Sequence, residues 1–416
     1  MTEKHDPLED LFGAKIDRRK LFKRGAGAGL GVMGIGALLA ACGGDDDSAS
    51  PAEPPADAPA DAPADAPADA PAPAASGAPG KIRWVTPRGT LDVMDDYNLQ
   101  VPLEMGYFDD LGVEVELIAG TGENEMQLVS ENQVDVGYPS PGVLTAAINV
   151  GVPVIMAWEM IPGQVFNFSV REDSDIQDVK DIEGTTMAVW TVGWKPIIDP
   201  LLVEAGVDPE SITLVEGGPG WNALVAEGQA DVALGWEGLR AQLVGQGLPF
   251  KYILGSDFSQ GPSNGYAIRK SDLEDPELVD LHTRFLQGAV MGLEFARANP
   301  RAAAQITYNR LPAFAETVEP QIALDSMMEL AAGYGSTNRD GNGWGFFEDD
   351  VWGDYLSFIF NDLSQTESLL APEEVYTNEL VGPVNSGADA ARAIADAEAF
   401  ELDEAFSATT VPDVEI

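Results

Sequence analysis

The chain has 416 residues, with 69 acidic side chains against 23 basic ones and a formal net charge of −46. Phosphate binding needs the opposite sign of charge, so this balance argues against a nucleic-acid partner. A hydrophobic content of 45% and eight tryptophans predict a folded part with a sizeable core, and the single cysteine excludes an intramolecular disulfide. We interpret the acidity as a solvated surface, with attraction of a cationic ligand as the alternative if the charges line a cleft.

An export signal is predicted at residues 1–41. The run Asp17–Lys23 contains paired arginines, and a glycine-rich apolar stretch from Gly25 to Ala41 leads to Cys42. This segment resembles a bacterial twin-arginine signal ending in a lipobox, which implies cleavage before Cys42, lipidation of its sulfur and a location outside the cytoplasm. A membrane-spanning anchor is the alternative, but it needs about 20 strongly apolar residues, and this stretch is shorter and interrupted by glycine.

Residues 42–80 are predicted to form a spacer behind the lipidated cysteine. A Pro-Ala-Asp-Ala pattern repeats as far as Ala78. Alanine and proline bury little surface, the aspartates repel one another, and proline favours extended backbone. We therefore expect a stiff, solvated tether that holds the folded part away from the membrane surface.

From Lys81 onward, short β-branched runs alternate with helical or glycine-bounded segments. The runs interpreted as strands are Lys81–Val85, Val113–Ile118, Val134–Tyr138, Pro153–Met160, Thr186–Thr191, Ile212–Glu216, Asp231–Glu237 and Phe250–Leu254. Such alternation predicts βαβ units and parallel sheets covered by helices. Two further runs, Phe166–Arg171 and Asn264–Lys270, stand where the pattern changes.

Beyond Lys270 the chain is predicted to be mainly helical. Asp275 followed by Pro276 is a good helix start, and apolar residues keep a helical spacing from Leu278 to Ala296. Further helices are expected from Pro300, at Gln321–Ala332, at Val351–Leu363 and at Asp389–Phe400.

Several short fragments recur in an order and spacing that resemble a known family. They are Gly106–Phe108, Gly112–Glu116, Asn132–Gly137, Gly151–Val154, Asp178–Gly184, Glu227–Ala233, Asn299–Ala303 and Tyr376–Asn378. The chain resembles the solute-binding proteins of ABC importers in the taurine, nitrate and thiamine-pyrimidine-precursor group. The resemblance spans residues 81 to 384, nearly the whole predicted folded part.

The resemblance implies an α/β fold of the type II periplasmic binding proteins, with two Rossmann-like α/β lobes joined by two crossover strands. Phe166–Arg171 and Asn264–Lys270 match the crossovers. The implied boundaries are 81–167 plus 265–384 for the first lobe, 168–264 for the second, and 385–416 for an acidic C-terminal helix and tail.

The residue types that catalyse reactions are scarce in this chain. Of its two histidines, His5 leaves with the signal and His282 is expected to pack in a helix. With Cys42 lipidated, no Cys/His pair remains for nucleophilic attack, and neither metal-ligand spacing nor a phosphate or dinucleotide loop is present. Eukaryotic pyrimidine synthases of the same superfamily use a cysteine cluster and a reactive histidine, which this chain lacks. We therefore predict no catalytic residue, no metal and no cofactor.

Ligand-binding residues are expected in the loops at the carboxyl ends of the strands, which are unusually aromatic. The predicted ligand-binding residues are Trp84, Arg88, Tyr138, Ser140, Trp158, Glu159, Thr191, Trp194, Trp221, Trp236, Glu237 and Tyr266. Tryptophan stacks on flat rings and attracts organic cations. Glu159 and Glu237 are expected to accept an amine, whereas Arg88 suits an anion or a neighbouring carboxylate. Tyr266 is expected either to face the cleft or to serve the hinge, and Trp190 to lie in a core.

These features predict a monomeric, lipid-anchored receptor that closes its lobes on a small organic solute and delivers it to membrane permease subunits. The leading ligand class is a nitrogen heterocycle such as a thiamine-pyrimidine precursor. A sulfonate such as taurine, or nitrate, is the alternative that Arg88 favours. Two alternatives of other classes are a pyrimidine-converting enzyme and a structural surface lipoprotein.

Overall fold

Nine strands of the described chain form the sheets that position the cleft. In chain order they are β1 (Gly80–Thr86), β2 (Val113–Ala119), β3 (Val154–Glu159), β4 (Phe166–Arg171), β5 (Thr186–Val189), β6 (Thr213–Glu216), β7 (Val232–Trp236), β8 (Phe250–Leu254) and β9 (Gly265–Arg269). The structure is a computed structural model that describes residues 78–120, 124–248, 250–335, 341–414 and 416. The predicted signal, Cys42 and the spacer up to residue 77 therefore lie outside the described residues.

The first sheet is built from β1, β2, β3 and β9. β1 pairs in parallel with β2, and β3 pairs antiparallel with β9. A short segment joins the two pairs, because Val136 bridges Trp84 of β1 in parallel and Gly137 bridges Ala267 of β9 antiparallel. The predicted strand Val134–Tyr138 is thus present only as two isolated bridges, since the segment changes partner between neighbouring residues.

The second sheet has the strand order β6-β5-β7-β4-β8. β5 is parallel to both β6 and β7, whereas β4 is antiparallel to both β7 and β8. β4 thus carries the chain into the second sheet, and β9 returns it to the first. Both strands coincide with the predicted crossovers. We call the segments that carry the first sheet lobe 1, and residues 168–264 lobe 2.

Helices cover both sheets and make up most of the chain after β9. They are α1 (Tyr97–Met105), α2 (Tyr107–Asp110), α3 (Glu125–Ser130), α4 (Pro141–Asn149), α5 (Lys195–Glu204), α6 (Trp221–Ala226), α7 (Leu239–Gly245), α8 (Pro276–Ala298), α9 (Pro300–Arg310), α10 (Pro312–Ala315), α11 (Pro320–Gly335), α12 (Asp349–Asn361), α13 (Pro372–Val375), α14 (Val381–Gly387), α15 (Ala390–Ala399) and α16 (Glu404–Ser407). Short 3-10 helices occupy Met94–Asp96, Val179–Ile182, Val192–Trp194, Pro209–Ser211, Gly218–Gly220, Gly255–Asp257 and Lys270–Glu274. None of the helices in the described ranges is both long enough and apolar enough to cross a membrane.

The long helix α8 illustrates how local sequence sets this packing. Its first free N–H groups are capped because the Asp275 side chain accepts a hydrogen bond from the Glu277 N–H, and Pro276 fits the first turn. Its buried face lies against α1, and a Cβ added at Gly292 would stand 2.5 Å from the Asn98 carbonyl oxygen. A glycine is therefore needed where the two helices touch.

Candidate ligand-binding cleft

A cleft lies between the two lobes, and the empty space in it is about 600 Å³ when the solvent at its open mouth is included. Lobe 1 lines it with Pro87, Arg88, Asp95, Glu125, Tyr138, Pro139, Ser140, Val143, Ile161, Val165, Phe166 and Leu330, whereas lobe 2 contributes Trp194, Ile197, Leu234, Trp236 and its last residue, Asn264. Most of these side chains are apolar, so the cleft suits a ligand with a largely apolar body and a few polar atoms.

Two tryptophans form the wall that lobe 2 presents to the cleft. Trp236 ends β7, and Trp194 ends the short helix that Thr191 caps by accepting a hydrogen bond from the Gly193 N–H. Their rings stand edge to face with centroids 6.2 Å apart. Trp221 stacks behind Trp236 at 6.1 Å and donates its indole N–H to the Leu234 carbonyl oxygen over 2.8 Å. The wall is therefore rigid and apolar.

Arg88 is the one basic side chain among the described residues that line the cleft. Carboxyl groups of lobe 1 compensate its charge. It is only 8% exposed. Its Nη2 donates to Asp96 Oδ1, and its Nη1 lies 3.5 Å from Asp95 Oδ2. The guanidinium carbon also stands 5.7 Å from the centre of the Tyr138 ring. Two carboxyl groups thus surround one cation.

Asp95 links the two lobes across the cleft. Trp236 of lobe 2 donates its indole N–H to Asp95 Oδ2 over 2.8 Å. The other oxygen, Oδ1, is buried and has no hydrogen-bond partner among the described residues. Burial raises the pKa of Asp95 to about 6, although the nearby Arg88 acts in the opposite direction.

Glu125, the first residue of α3, is a second buried acid in the cleft. Its Oε1 accepts a hydrogen bond from the Tyr138 backbone N–H. Its Oε2 is buried and, within the described ranges, has no hydrogen-bond partner. Burial raises the pKa of Glu125 to about 8, which outweighs the opposing bond from Tyr138 and the charge of Arg88. At pH 7 this carboxyl group therefore keeps its proton.

The other polar groups of the lobe 1 wall are already used. Ser140 caps α4 because its Oγ accepts a hydrogen bond from the Val143 N–H over 3.3 Å. The Tyr138 hydroxyl lies 3.0 Å from the Tyr334 hydroxyl, and the Tyr138 carbonyl oxygen accepts a hydrogen bond from Asn264 Nδ2 over 2.9 Å. These bonds fix the shape of the wall.

The two lobes touch closely at two glycines. A Cβ added at Gly142, in the first turn of α4, would overlap the carbonyl oxygen of Pro196 in lobe 2. A Cβ added at Gly89 would overlap the ring of Trp190 in lobe 2. Together with the bond between Trp236 and Asp95, these contacts describe a closed arrangement of the lobes.

The structure brings five of the predicted ligand-binding residues into this cleft: Arg88, Tyr138, Ser140, Trp194 and Trp236. Two more, Trp84 and Tyr266, stand behind the cleft wall, with ring centres 5.9 Å and 5.3 Å from that of Tyr138. The Tyr266 hydroxyl accepts a hydrogen bond from Asn98 Nδ2 over 2.9 Å. These two aromatic rings therefore support the wall from the core of lobe 1.

Contrary to the sequence-based expectation, Trp158 and Glu159 do not reach the cleft. Trp158 is 1% exposed, and Gly345 lies so close to its ring that an added Cβ would overlap it. Glu159 Oε1 accepts a hydrogen bond from Trp352 Nε1 over 2.7 Å. The segment around Gly345 and the helix α12 covers this strand end, so the pair belongs to a core cluster.

Three predicted residues of lobe 2 serve the wall or its surroundings rather than line the cleft. Thr191 caps a short helix, and Trp221 packs behind Trp236. Glu237 turns away, because its Oε2 pairs with Arg240 Nη2 over 2.6 Å and its Oε1 accepts a hydrogen bond from Asn167 Nδ2 over 3.1 Å.

Asp95 and Glu125 escaped the sequence prediction. The pair Asp95-Asp96 is visible in the sequence, but acidic pairs carry little information in a chain with 69 acidic residues. Glu125 lies in a helix with no distinguishing motif. Burial is what sets both apart, and burial depends on the assembled fold.

The described residues contain no group of three His, Cys, Asp or Glu side chains that could hold a metal ion. His282 is buried in α8, and its Nε2 lies 2.9 Å from Asp272 Oδ2. It is absent from the lining of the cleft. Its position fits the packing role that the sequence predicts.

Residues 98–303 match the family model described as NMT1/THI5 like. The alkanesulfonate-binding protein SsuA from Xanthomonas axonopodis pv. citri, solved with bound MOPS, is 11% identical with a TM-score of 0.53; the match covers 74% of this chain and 99% of that one. The ligand-binding component of an ABC-type import system from Staphylococcus aureus, solved with zinc, is 12% identical with a TM-score of 0.54, covering 73% and 98%.

A third structure, a protein from Bordetella bronchiseptica RB50, is 14% identical with a TM-score of 0.54, and the match covers 74% of this chain and 97% of that one. No curated protein matches the chain. The structural likeness confirms the predicted type II periplasmic binding protein fold, and the family model confirms the predicted resemblance.

Proposed function

We propose that this chain, which carries an NMT1/THI5-like domain on the fold of the periplasmic solute-binding proteins, is the extracytoplasmic solute-binding component of an ABC importer. It captures a small organic solute in the cleft between its lobes and presents it to permease subunits without changing any covalent bond. Lipidation of Cys42 after export, by the twin-arginine route, holds the monomer at the membrane.

The observation that carries this proposal is the hydrogen bond from Trp236 to Asp95, which crosses a tryptophan-walled cleft. It exists only while the lobes are together. A solute that contacts both walls stabilises the same closed state, so binding and closure reinforce each other.

A flat nitrogen heterocycle, such as a thiamine-pyrimidine precursor, is the ligand class that the cleft favours. Trp194 and Trp236 line the cleft, and an aromatic contact to a tryptophan ring is worth about 0.5–1.5 kcal/mol. The charge of Arg88 is already compensated by Asp95 and Asp96, which weakens the attraction that an anion needs.

A sulfonate or nitrate is the second candidate. Its support is the alkanesulfonate-binding protein with a similar fold and the presence of Arg88 in the cleft. It requires Arg88 to exchange a carboxyl partner for the ligand. A pyrimidine-converting enzyme is disfavoured, because none of the described residues that line the cleft is a cysteine or histidine. A structural lipoprotein has no need for a built cleft.

Native mass spectrometry of the protein purified from its host without denaturation tests the proposal. We expect a bound small molecule that is released on denaturation and that contains nitrogen in a ring. Adding the released solute to stripped protein should reduce the radius of gyration measured by small-angle scattering. Protein that retains no solute and does not compact with a small-molecule extract of the host would contradict a solute-binding function.

A further inference from the structure

Hydrogen bonds outside the cleft join α7 of lobe 2 to α11 of lobe 1. Both backbone groups of Gly238, which precedes α7, take part: its N–H donates to Glu329 Oε2 over 3.2 Å, and its carbonyl oxygen accepts from Ser326 Oγ over 2.7 Å. The Ala241 N–H donates to the same Glu329 oxygen over 3.0 Å. Gln242 Nε2 donates to Ser326 Oγ over 3.0 Å. We call these five residues the clasp, and they are not among the residues that line the cleft.

A charged pair and an apolar contact lie beside these bonds. Arg240 Nη2 of α7 stands 3.1 Å from Glu329 Oε1. A Cβ added at Gly245, the last residue of α7, would overlap Ile322 Cδ1 of α11, so the two helices touch directly. Ser326 is fully buried, which shields its bonds from water. Burial of apolar surface and charge-assisted hydrogen bonds both favour the state in which α7 and α11 are in contact.

Each of the two helices is fixed to its own lobe. α7 follows β7 directly and packs against it, whereas α11 packs against α9. Near the end of α11, the Tyr334 hydroxyl donates to the Asp95 carbonyl oxygen of lobe 1 over 3.2 Å. A rotation of the lobes about the crossovers β4 and β9 therefore parts α7 from α11, and the clasp exists only while the lobes are together.

We propose that the clasp closes the lobes for part of the time without any solute, and that Glu329 is the positioning residue that sets how often the empty cleft is closed. The groups of the clasp bond with one another and need no solute for it. A solute that binds the closed state has an apparent dissociation constant equal to the intrinsic one divided by the closed fraction. This inference rests on the proposed solute-binding function and adds a determinant of affinity that lies outside the cleft.

Disulfide trapping of the full chain, stripped of retained solute, measures closure of the empty protein. The trapping variant carries Gly245→Cys and Ile322→Cys, with Cys42→Ser so that no other thiol takes part. An added Cβ at residue 245 would lie 2.7 Å from Ile322 Cγ1, which places the two Cβ atoms within about 4.3 Å, inside the range that a disulfide needs. We expect the bond to form under mild oxidation with no solute present. Adding Glu329→Ala should slow its formation by about tenfold, because fewer molecules are closed.

The affinity of the otherwise native chain should change in parallel. The probe is the solute that denaturation releases from the purified protein. We expect Glu329→Ala to weaken its binding by about tenfold, although Glu329 is not part of the cleft lining. Glu329→Gln still accepts the N–H bonds and loses only the charge opposite Arg240, so it should recover part of both the trapping rate and the affinity. Circular dichroism checks that both variants are folded.

Glu319→Ala is the matched control, because Glu319 is exposed immediately before the same helix. It should leave the trapping rate and the affinity unchanged.

A disulfide that forms only when the solute is present, or that forms equally fast with and without Glu329→Ala, would overturn the inference and leave the solute-binding function standing. A protein that traps rapidly when empty, slows with Glu329→Ala and yet retains no solute would contradict the proposed function alone.

Discussion

The dipeptide Trp-Glu stands at the carboxyl end of one strand in each lobe, and the two copies have opposite surroundings. Trp158-Glu159 ends β3 beneath Gly345 and α12, and Trp158 is 1% exposed. Trp236-Glu237 ends β7 at the cleft, where Trp236 donates its indole N–H across to the other lobe. The element that covers a strand end, not the residues on it, decides whether that end becomes a core or a binding wall.

Both dipeptides place a carboxyl group beside an indole, but with different consequences. Glu159 is enclosed with Trp352, and burial raises its pKa to about 8. Glu237 keeps partial contact with solvent and pairs with Arg240. Substitutions at corresponding positions of the two dipeptides can therefore distinguish the core role of one from the binding-wall role of the other.

The largest effect is expected from Trp158→Ala. Removing a fully buried indole should lower the free energy of unfolding by about 3–5 kcal/mol, because the core around Gly345 cannot collapse onto the space. Trp236 already borders a cleft, so Trp236→Ala should destabilise the fold less than Trp158→Ala does. It should weaken binding of the retained solute more. Urea unfolding of both variants measures the difference, and a larger loss of stability at Trp236 would reverse the assignment of core and wall.

Glu159→Gln should flatten the pH dependence of stability. The folded-state pKa of Glu159, about 8, lies above its ordinary value of 4.5. Between these values the unfolded chain loses the proton first, so the free energy of unfolding falls as the pH rises. Glutamine has no such proton, and the fall between pH 5 and pH 8 should shrink by on the order of a few kcal/mol. Glu125 contributes in the same direction and remains, so some slope persists. If the free energy of unfolding of the variant and that of the native chain vary with pH in parallel, the enclosure of Glu159 is contradicted.

Trp236→Phe removes the indole N–H and keeps a ring on the wall. Loss of the bond to Asp95 should weaken binding of the retained solute by about tenfold, since a hydrogen bond to a charged group contributes about 1.5–3 kcal/mol. Trp344→Phe is the control: it also breaks an indole bond to a carboxyl group, that of Glu294, away from the cleft. Calorimetric titration of both variants checks the prediction, and equal losses of affinity would remove the special role of the interlobe bond.

Glu237→Gln should have the smallest effect. The Glu237–Arg240 pair is partly exposed, and such pairs contribute up to about 1 kcal/mol. Glutamine can still accept the hydrogen bond from Asn167. Thermal unfolding and solute titration should both stay close to those of the native chain, and a loss of affinity as large as that of Trp236→Phe would place Glu237 in the binding wall after all.

Most of the fold could be predicted because its signals are local. Alternating β-branched runs and helical periodicity gave nearly all strands, and the predicted crossover Phe166–Arg171 has the bounds of β4. The segment Val134–Tyr138 was harder, because it pairs through single bridges on two sides. Its sequence is typical of a strand, but whether it forms a regular strand depends on how the adjacent strands β1 and β9 pair with it.

The cleft could be predicted only in part. The rule that ligands meet strand ends selects Arg88, Tyr138, Trp194 and Trp236, all of which line it. The same rule selects Trp158, and it fails there because Trp352, the covering residue that bonds Glu159, stands 193 positions further along the chain. The burial that sets Glu125 apart is likewise a tertiary property.

The bare backbone of Gly142 lies against the Pro196 carbonyl oxygen where the lobes meet. A methyl group at this position, as in Gly142→Ala, should therefore keep the two lobes from closing fully while leaving both walls of the cleft intact. An alanine is thus enough to uncouple solute binding from lobe closure.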